Sequence, residues 1–148
     1  MSSRTTFTIG HLARETGCKV QTIRYYEQVG LMPEPQRSPS NQRIYGPTQL
    51  QRLRFIRHAR DLGFSQEEIR ELLRLADRPK QSCAAVTDVT RRHLAEVDNK
   101  IAQLQALRDE FQRMIAQCSG QRQIADCRII AALADHDQCL SADHSQSS

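Results

Sequence analysis

Three of the five cysteines in this 148-residue chain have a spacing that suits metal binding. Cys83 precedes a long segment without glycine or proline, Cys118 ends that segment, and Cys127 follows a short loop. Thiolates are soft ligands, so a site built from three of them favours Hg(II), Cd(II), Pb(II), Zn(II) or Cu(I) over Mg(II) or Ca(II). These residues are therefore the candidate ligands of a soft metal ion.

The distance between these cysteines limits how such a site can form. The segment is predicted to be one helix of about 35 residues, roughly 50 Å long, whereas metal–sulfur bonds are about 2.3 Å. Cys83 therefore cannot meet Cys118 within one chain. Two antiparallel copies of the helix, related by a two-fold axis near its middle, would place Cys83 of one chain beside Cys118 and Cys127 of the other. The spacing predicts two identical three-thiolate sites in a homodimer.

The long segment also carries an apolar stripe that predicts a partner. Its apolar residues recur in alternating steps of four and three, the pattern of a coiled coil, with Arg108 as the exception. They are Leu94, Val97, Ile101, Leu104, Phe111, Ile115 and Cys118. The short N-terminal part of the chain is too small to cover a stripe of this length, so a second copy of the chain is the expected partner.

A second group of residues, near the N-terminus, suits contact with DNA. Arg24, Tyr25 and Tyr26 fall on a short predicted helix, and Arg43 and Tyr45 follow in a basic turn beyond it. Guanidinium groups can donate paired hydrogen bonds to phosphate oxygens, while phenol groups can donate to phosphates and pack against sugars. The stretch from 37 to 60 has arginines and no acidic residue, which adds positive charge to the same half of the chain. We expect these five residues to contact one DNA half-site.

The elements that would position the basic residues form a winged helix-turn-helix. Gly17 and Gly30 end the first two helices, and the prolines that follow Gly30 exclude a helix through residue 40. The predicted elements are helices from Ile9 to Glu15 and from about Val20 to Gln28, a hairpin or wing at 37–46, a helix that begins at Pro47, and a helix capped by Ser65 with Glu68.

The composition fits a mainly α protein with one compact domain and a helical extension. Only 39% of the residues are hydrophobic and 5% aromatic, which is low for a large enzyme core. We expect a winged helix-turn-helix domain at 1–77, a linker and dimerisation helix that forms an antiparallel coiled coil at 78–118, a metal-binding loop and short helix at 119–134, and a disordered tail at 135–148.

The expected compartment is the cytoplasm. The N-terminus lacks the apolar run of a signal peptide, and no segment approaches the roughly 20 apolar residues that span a membrane. In a reducing compartment the cysteines are expected to be thiols or metal ligands rather than disulfides. The net charge of +4 is compatible with nucleic acid binding.

The run from Ile23 to Glu27, followed by Gly30 and Leu31, resembles the signature of the MerR family of bacterial transcription activators. The resemblance extends from about Thr8 to Cys127. It implies a homodimer that binds promoter DNA with an over-long spacer, represses when empty, and untwists the DNA when metal binds. It also implies an effect on RNA polymerase through the bound promoter, and no enzymatic activity.

Within this family, Cys83, Cys118 and Cys127 match the ligand positions of the heavy-metal branch. The copper(I) sensors resemble a form with serine at the first position and a shorter loop. The zinc sensors have a doubled cysteine and a nearby histidine, where this chain has Ser119 and Gln123. The eight-residue loop resembles that of the mercury- and lead-responsive members. The resemblance therefore implies a soft divalent ion as inducer, namely Hg, Cd, Pb or Zn.

Several alternatives remain open at this point. Cys118 and Cys127 could form a disulfide in a thiol redox sensor of the same fold, or the chain could sense Cu(I). A thiol-dependent enzyme is disfavoured because no histidine is placed to act as a base for a cysteine. Cys139, His136 and His144 could form an accessory metal site in the tail, and Cys18 is expected to be a small core residue.

Overall fold

The computed structural model describes residues 5–118 and 120–135. The chain divides into two compact units, Met1–Val89 and Thr90–Ser148. In chain order, the described elements are α1 (Ile9–Thr16), α2 (Val20–Gln28), β1 (Gln36–Arg37), β2 (Arg43–Ile44), α3 (Pro47–Asp61), α4 (Gln66–Ala76), α5 (Ala84–Gln117), a 3-10 turn (Ile124–Asp126) and α6 (Arg128–Ala134). The prediction of a mainly α fold is confirmed. The predicted disorder of 135–148 lies, except for Asp135, outside the described residues.

Helices α1 and α2 form the helix-turn-helix. The side chain of Thr8 accepts a hydrogen bond from the backbone N–H of His11 at 3.2 Å, which satisfies one of the unpaired donors at the start of α1. Gly17 follows α1 with a φ of 71°, and Gly30 follows α2 with a φ of 80°. Glycine adopts this left-handed conformation without the steric cost of a Cβ atom. The predicted glycine stops are therefore confirmed.

The wing is an antiparallel hairpin in which Arg37 of β1 lies opposite Arg43 of β2. Asn41 makes the turn with a φ of 62°. Beyond the hairpin, the N–H of Phe7 donates to the carbonyl of Tyr45 at 2.7 Å, and the N–H of Tyr45 donates to the carbonyl of Phe7 at 2.9 Å. The hairpin was predicted, whereas the local sequence carries no signal for the pairing with Phe7, which joins the start of the chain to the wing.

Helices α3 and α4 begin where the sequence predicts. Pro47 is the first residue of α3, a position where its missing N–H leaves no hydrogen bond unmade. At the start of α4, the hydroxyl of Ser65 accepts from the N–H of Glu68 at 3.2 Å, and the N–H of Ser65 donates to the Glu68 carboxylate at 2.7 Å. The predicted capping box is confirmed.

The first unit has one hydrophobic core, to which all four helices contribute. Leu12, Ile23, Leu53, Ile56 and Ile69 are completely buried there. Burying an aliphatic side chain of this size stabilises the fold by about 1.5–3 kcal/mol. The core holds α1 and α2 in a fixed relation, as a helix-turn-helix requires.

The long helix α5 spans 34 residues and crosses the boundary between the two units. Its predicted stripe is exposed in the single chain: the apolar side chains Leu94, Val97, Ile101, Leu104, Phe111 and Ile115 are between 37% and 65% exposed. The helix itself is confirmed, and the coiled coil that would cover the stripe stays a prediction. Across residues 5–118 and 120–135, even this helix is too polar to cross a bilayer.

Candidate DNA-contact surface and thiol site

Helix α2 presents Arg24 and Tyr25 on the surface of the first unit. The Tyr25 side chain is 47% exposed, and its hydroxyl donates a hydrogen bond to Gln66 Oε1 at 3.0 Å. This bond connects α2 to α4 and fixes the ring while it stays accessible. Both residues are therefore in position to contact a ligand.

A cleft of about 360 Å³ lies between the start of α1, helix α2 and the wing. Three arginines line it: Arg24 from α2, and Arg37 and Arg43 from the wing. The guanidinium group of Arg37 also donates to the carbonyl of Asn41 at 3.2 Å, which ties it to the turn of the wing. Three positive charges around one cleft suit a phosphate group.

Arg37 is a candidate that the sequence reasoning missed. Its position opposite Arg43 in the hairpin is the signal that could have found it, since residues opposite each other in an antiparallel pair lie on the same face. Once the register of the predicted wing is known, Arg37 is identified as the neighbour of Arg43.

Tyr26 is placed in the core rather than on the surface. Only 7% of the residue is exposed, and its ring lies 6.0 Å from that of Tyr25, centroid to centroid. Burial raises the pKa of Tyr26, against the lowering effect of the nearby Arg60 guanidinium. Burial leaves Tyr26 little surface for contact with DNA, and its role in DNA binding stays a prediction.

Tyr45 is also a core residue, with 1% of its surface exposed. Its hydroxyl donates a hydrogen bond to Glu27 Oε1 at 2.5 Å. Burial, together with this bond to the carboxylate, raises the pKa of Tyr45 well above its ordinary value. The Nε atom of Arg43 lies 3.8 Å from the other carboxylate oxygen of Glu27. Tyr45 thus supports the wing, while Arg43 remains at the cleft.

Arginines of α3 and α4 hold the carbonyl groups that follow α1 and α2. The bonds run from Arg57 to the carbonyl of Gly17 at 2.8 Å, from Arg52 to that of Leu31 at 2.7 Å, and from Arg70 to that of Val29 at 2.7 Å. Charged donors at helix ends satisfy carbonyls that have no partner within the helix. The basic stretch at 37–60 is therefore partly structural, and not all of its charge faces a ligand.

In the second unit, Cys118 lies near enough to Cys127 to influence its thiol. Cys118 directly follows α5, and Cys127 is the residue directly before α6. The pKa of Cys127 is lowered, first by the backbone N–H of Ile130 and also by that of Ile129 and by Cys118, against the opposing effect of burial. Because the thiolate is the form that binds metal, this environment prepares Cys127 as a ligand.

Cys83 lies at the opposite end of α5. Its carbonyl accepts hydrogen bonds from the N–H and the hydroxyl of Thr87 at 3.0 and 3.1 Å, so it begins the first turn of the helix. Its thiol is exposed. The structure therefore brings two of the three predicted ligands together and leaves the third accessible at the other helix end.

Cys18 and the candidate ligands of the tail differ in what the structure describes of them. Cys18 is buried in the core of the first unit, as expected of a structural residue. Cys139, His136 and His144 lie outside the described residues, so an accessory site in the tail stays a prediction. In the described second unit, the thiols of Cys118 and Cys127 are donors that suit a soft metal ion.

The chain matches two family descriptions that together cover most of its length. Residues 7–76 match "MerR HTH family regulatory protein", and residues 50–114 match "MerR, DNA binding".

The chain is also similar to individual proteins along nearly their whole length. It is 39% identical to the heavy metal-dependent transcription regulator 2 of Rhizobium meliloti (strain 1021). The 127 matched residues cover 86% of each chain. It is 35% identical over 127 residues to a mercuric resistance operon regulatory protein of Bacillus cereus, which covers 86% of this chain and 96% of that protein. Among solved structures, the transcription regulator PbrR691 from Ralstonia metallidurans CH34, in complex with lead(II), has a TM-score of 0.76 and 41% identity, covering 86% of this chain and 98% of that one.

The proximity of the two thiols leads to a prediction about reactivity. Cys118→Ala removes a hydrogen bond that lowers the pKa of Cys127, so the pH midpoint for alkylation of Cys127 should move upward. Cys118→Ser keeps a donor and should move it less. The test is the pH dependence of iodoacetamide labelling at Cys127, followed by peptide mass spectrometry on reduced, metal-free protein. An unchanged midpoint in Cys118→Ala would show that the two side chains do not interact.

Proposed function

Because this chain belongs to the MerR family of helix-turn-helix transcriptional regulators, we propose that it controls heavy-metal resistance or homeostasis genes in response to a soft divalent metal ion. In this proposal it represses when empty and activates when Cys83, Cys118 and Cys127 bind the ion. The observation that carries the proposal is the placement of two thiols on either side of a short loop, with Cys118 directly after α5 and Cys127 directly before α6.

The proposed DNA contacts come from the surface of the first unit. Arg24, Tyr25 and Arg43 are the direct contacts, and Tyr26 and Tyr45 position them from the core. The supporting observations are the exposure of Tyr25 and the arrangement of arginines around one cleft. Phosphate contacts of this kind fix a protein on the duplex, whereas base contacts supply sequence preference.

The proposed metal site forms between two chains. Two facts support it: the apolar stripe of α5 is exposed in one chain, and Cys83 and Cys118 flank opposite ends of that 34-residue helix. Antiparallel pairing of α5 would cover the stripe and place Cys83 beside the partner's Cys118 and Cys127. A thiolate site of this kind would be incomplete in a monomer.

Cys83 is well placed to connect metal binding to DNA. It directly precedes α5, the helix that follows the DNA-binding elements. An ion can shift a two-state equilibrium only by its difference in affinity for the two states. We propose that the activating state brings Cys83 into the site, and that the bound promoter is deformed as a result, which presents it differently to RNA polymerase.

Both the donor set and two of the relatives support a soft divalent ion. One relative is described as a mercuric resistance regulator, and one solved structure is a complex with lead(II). Three thiolates leave more residual negative charge on a monovalent ion than on a divalent one. We therefore propose Hg(II), Cd(II) or Pb(II) as better inducers than Zn(II), and Cu(I) as a poor one.

A thiol redox sensor is the second candidate, favoured by the proximity of Cys118 to Cys127. Oxidation of these two thiols to a disulfide would require an oxidant and no stoichiometric metal ion. Metal titration under anaerobic conditions separates the two functions, because only the metal sensor responds there.

One prediction of the proposed function tests the DNA surface. Arg24→Ala should weaken promoter binding by about 1–3 kcal/mol, because it removes a phosphate or base contact, while the dimer and its metal stoichiometry stay intact. Arg74→Ala, in the last turn of α4 and outside the arginine-lined cleft, is the matched control. The measurement is a gel-shift titration. Equal affinity of Arg24→Ala and wild type would mean that α2 binds through another face.

Another prediction tests whether the site forms between chains. A heterodimer of a Cys83→Ser chain with a Cys118→Ser/Cys127→Ser chain should keep one complete site and lose the other. The complete site would combine Cys83 of the second chain with Cys118 and Cys127 of the first. A site within one chain would leave no complete set. Metal counting on purified, differently tagged heterodimers distinguishes these outcomes.

A further prediction tests the ion. A reporter fused to the cognate promoter should respond to Hg(II), Cd(II) or Pb(II) at a lower free concentration than to Zn(II), with little response to Cu(I) or Ag(I). Strongest induction by Cu(I) would refute the charge argument. A response to Zn(II) at the lowest concentration would instead point to a fourth ligand, with Cys139 and His144 as the residues to substitute next.

A further inference from the structure

Glu27 places a nearly buried carboxylate between helix α2 and the wing. Its side chain is 7% exposed, and it lines a cleft together with three arginines. One carboxylate oxygen accepts the hydrogen bond from Tyr45, and the other lies 3.8 Å from Arg43 Nε. Both of these partners come from the wing side, while Glu27 itself comes from α2.

Burial of a carboxylate is unfavourable unless hydrogen bonds and opposite charge compensate for it. The Tyr45 hydroxyl supplies a hydrogen bond, and Arg43 supplies the charge. At 3.8 Å the Arg43 contact is an ion pair rather than a hydrogen bond. The carboxylate therefore fixes the position of a guanidinium group without using up one of its donors.

The Arg43 side chain is divided into an inner and an outer part. Its Nε atom is buried and has no hydrogen-bond partner in the described part of the chain. The side chain as a whole is 29% exposed, so its exposed atoms lie elsewhere on the side chain. A guanidinium carries five donors in a rigid plane, and fixing one edge orients the others.

We propose that Glu27 is a positioning residue for DNA binding, which acts through Arg43. Its carboxylate holds Tyr45 and Arg43 of the wing against α2, so that Arg24, Arg37 and Arg43 line one cleft in the free protein. The cleft is then preorganised for a DNA backbone phosphate. This inference rests on the proposed DNA surface and is independent of the metal site.

The loss of the Glu27 carboxylate should change DNA affinity in opposite directions, depending on whether Glu27 contributes only its charge or also positions Arg43. Removing a negative charge beside DNA should strengthen binding if only the overall field matters. If Glu27 positions Arg43, its neutralisation should weaken binding, because the guanidinium becomes free to sample other orientations. The sign of the change therefore decides between the two.

The test uses Glu27→Gln, which keeps the volume and an oxygen that can accept from Tyr45. The matched control is Glu34→Gln, since Glu34 and Glu27 line one adjoining cleft together with the same three arginines. The probe is a duplex that wild-type protein selects from a random-sequence pool, titrated with metal-free full-length protein. Glu27→Gln should weaken binding on the order of fivefold, and Glu34→Gln should leave it equal or stronger.

A double-mutant cycle with Arg43→Gln shows whether Glu27 acts through Arg43. In the Arg43→Gln background, Glu27→Gln should cause no further loss. Additive losses, or stronger binding by Glu27→Gln alone, would overturn the proposal. Arg43→Lys, which keeps the charge without the guanidinium plane, should also weaken binding. Wild-type affinity in Arg43→Lys would overturn the proposal even if Glu27→Gln did not fold.

A readout without DNA separates this proposal from the proposed function. In ¹⁵N NMR spectra of the free protein, the Arg43 Nε–H signal should be protected from exchange in wild type and Glu34→Gln, and lose that protection in Glu27→Gln. Equal protection in all three would overturn the positioning role. A failure of metal induction would contradict the proposed function and leave both the affinity series and the NMR comparison interpretable.

Discussion

The length of helix α5 is the constraint on which the proposed architecture depends. A helix of 34 residues is roughly 50 Å long, while a metal holds its thiolate ligands within about 2.3 Å. Cys83 and Cys118 flank this rod and cannot bind the same ion unless another chain supplies one of them. In the proposed dimer, one antiparallel pairing of α5 would therefore both complete the metal site and cover the exposed apolar stripe.

Much of the fold could be predicted because its signals are local. The glycine at the end of each helix of the helix-turn-helix, Pro47 and the Ser65 capping box act within a few residues of the chain, and each lies at the boundary it predicted. The pairing of Phe7 with Tyr45 could not be predicted in this way, because it joins residues far apart in sequence through backbone groups that every residue has.

The candidate site was predictable only in part, because the burial of its side chains depends on contacts between residues far apart in sequence. Tyr26 and Tyr45 have the chemistry to contact DNA, but the tertiary structure buries them, and periodicity on a short helix does not show which face packs inward. Arg52 and Arg57 likewise have the chemistry to contact DNA, but they donate hydrogen bonds to carbonyl groups that follow α2 and α1. The short loop between Cys118 and Cys127 can be seen in the sequence, so their proximity was predictable. Whether Cys83 joins them depends on a second chain, in the proposed dimer.

The arginine contacts at the helix ends have a consequence for how the protein responds to pH. Guanidinium groups stay charged at every pH at which proteins are folded, so the bonds from Arg52, Arg57 and Arg70 hold α1 and α2 regardless of acidity. Thiols behave differently, because protons and metal ions compete for the same sulfur atoms. If the proposed thiol site binds metal, acidification within the physiological range would reduce its apparent affinity while the helix-turn-helix kept its shape.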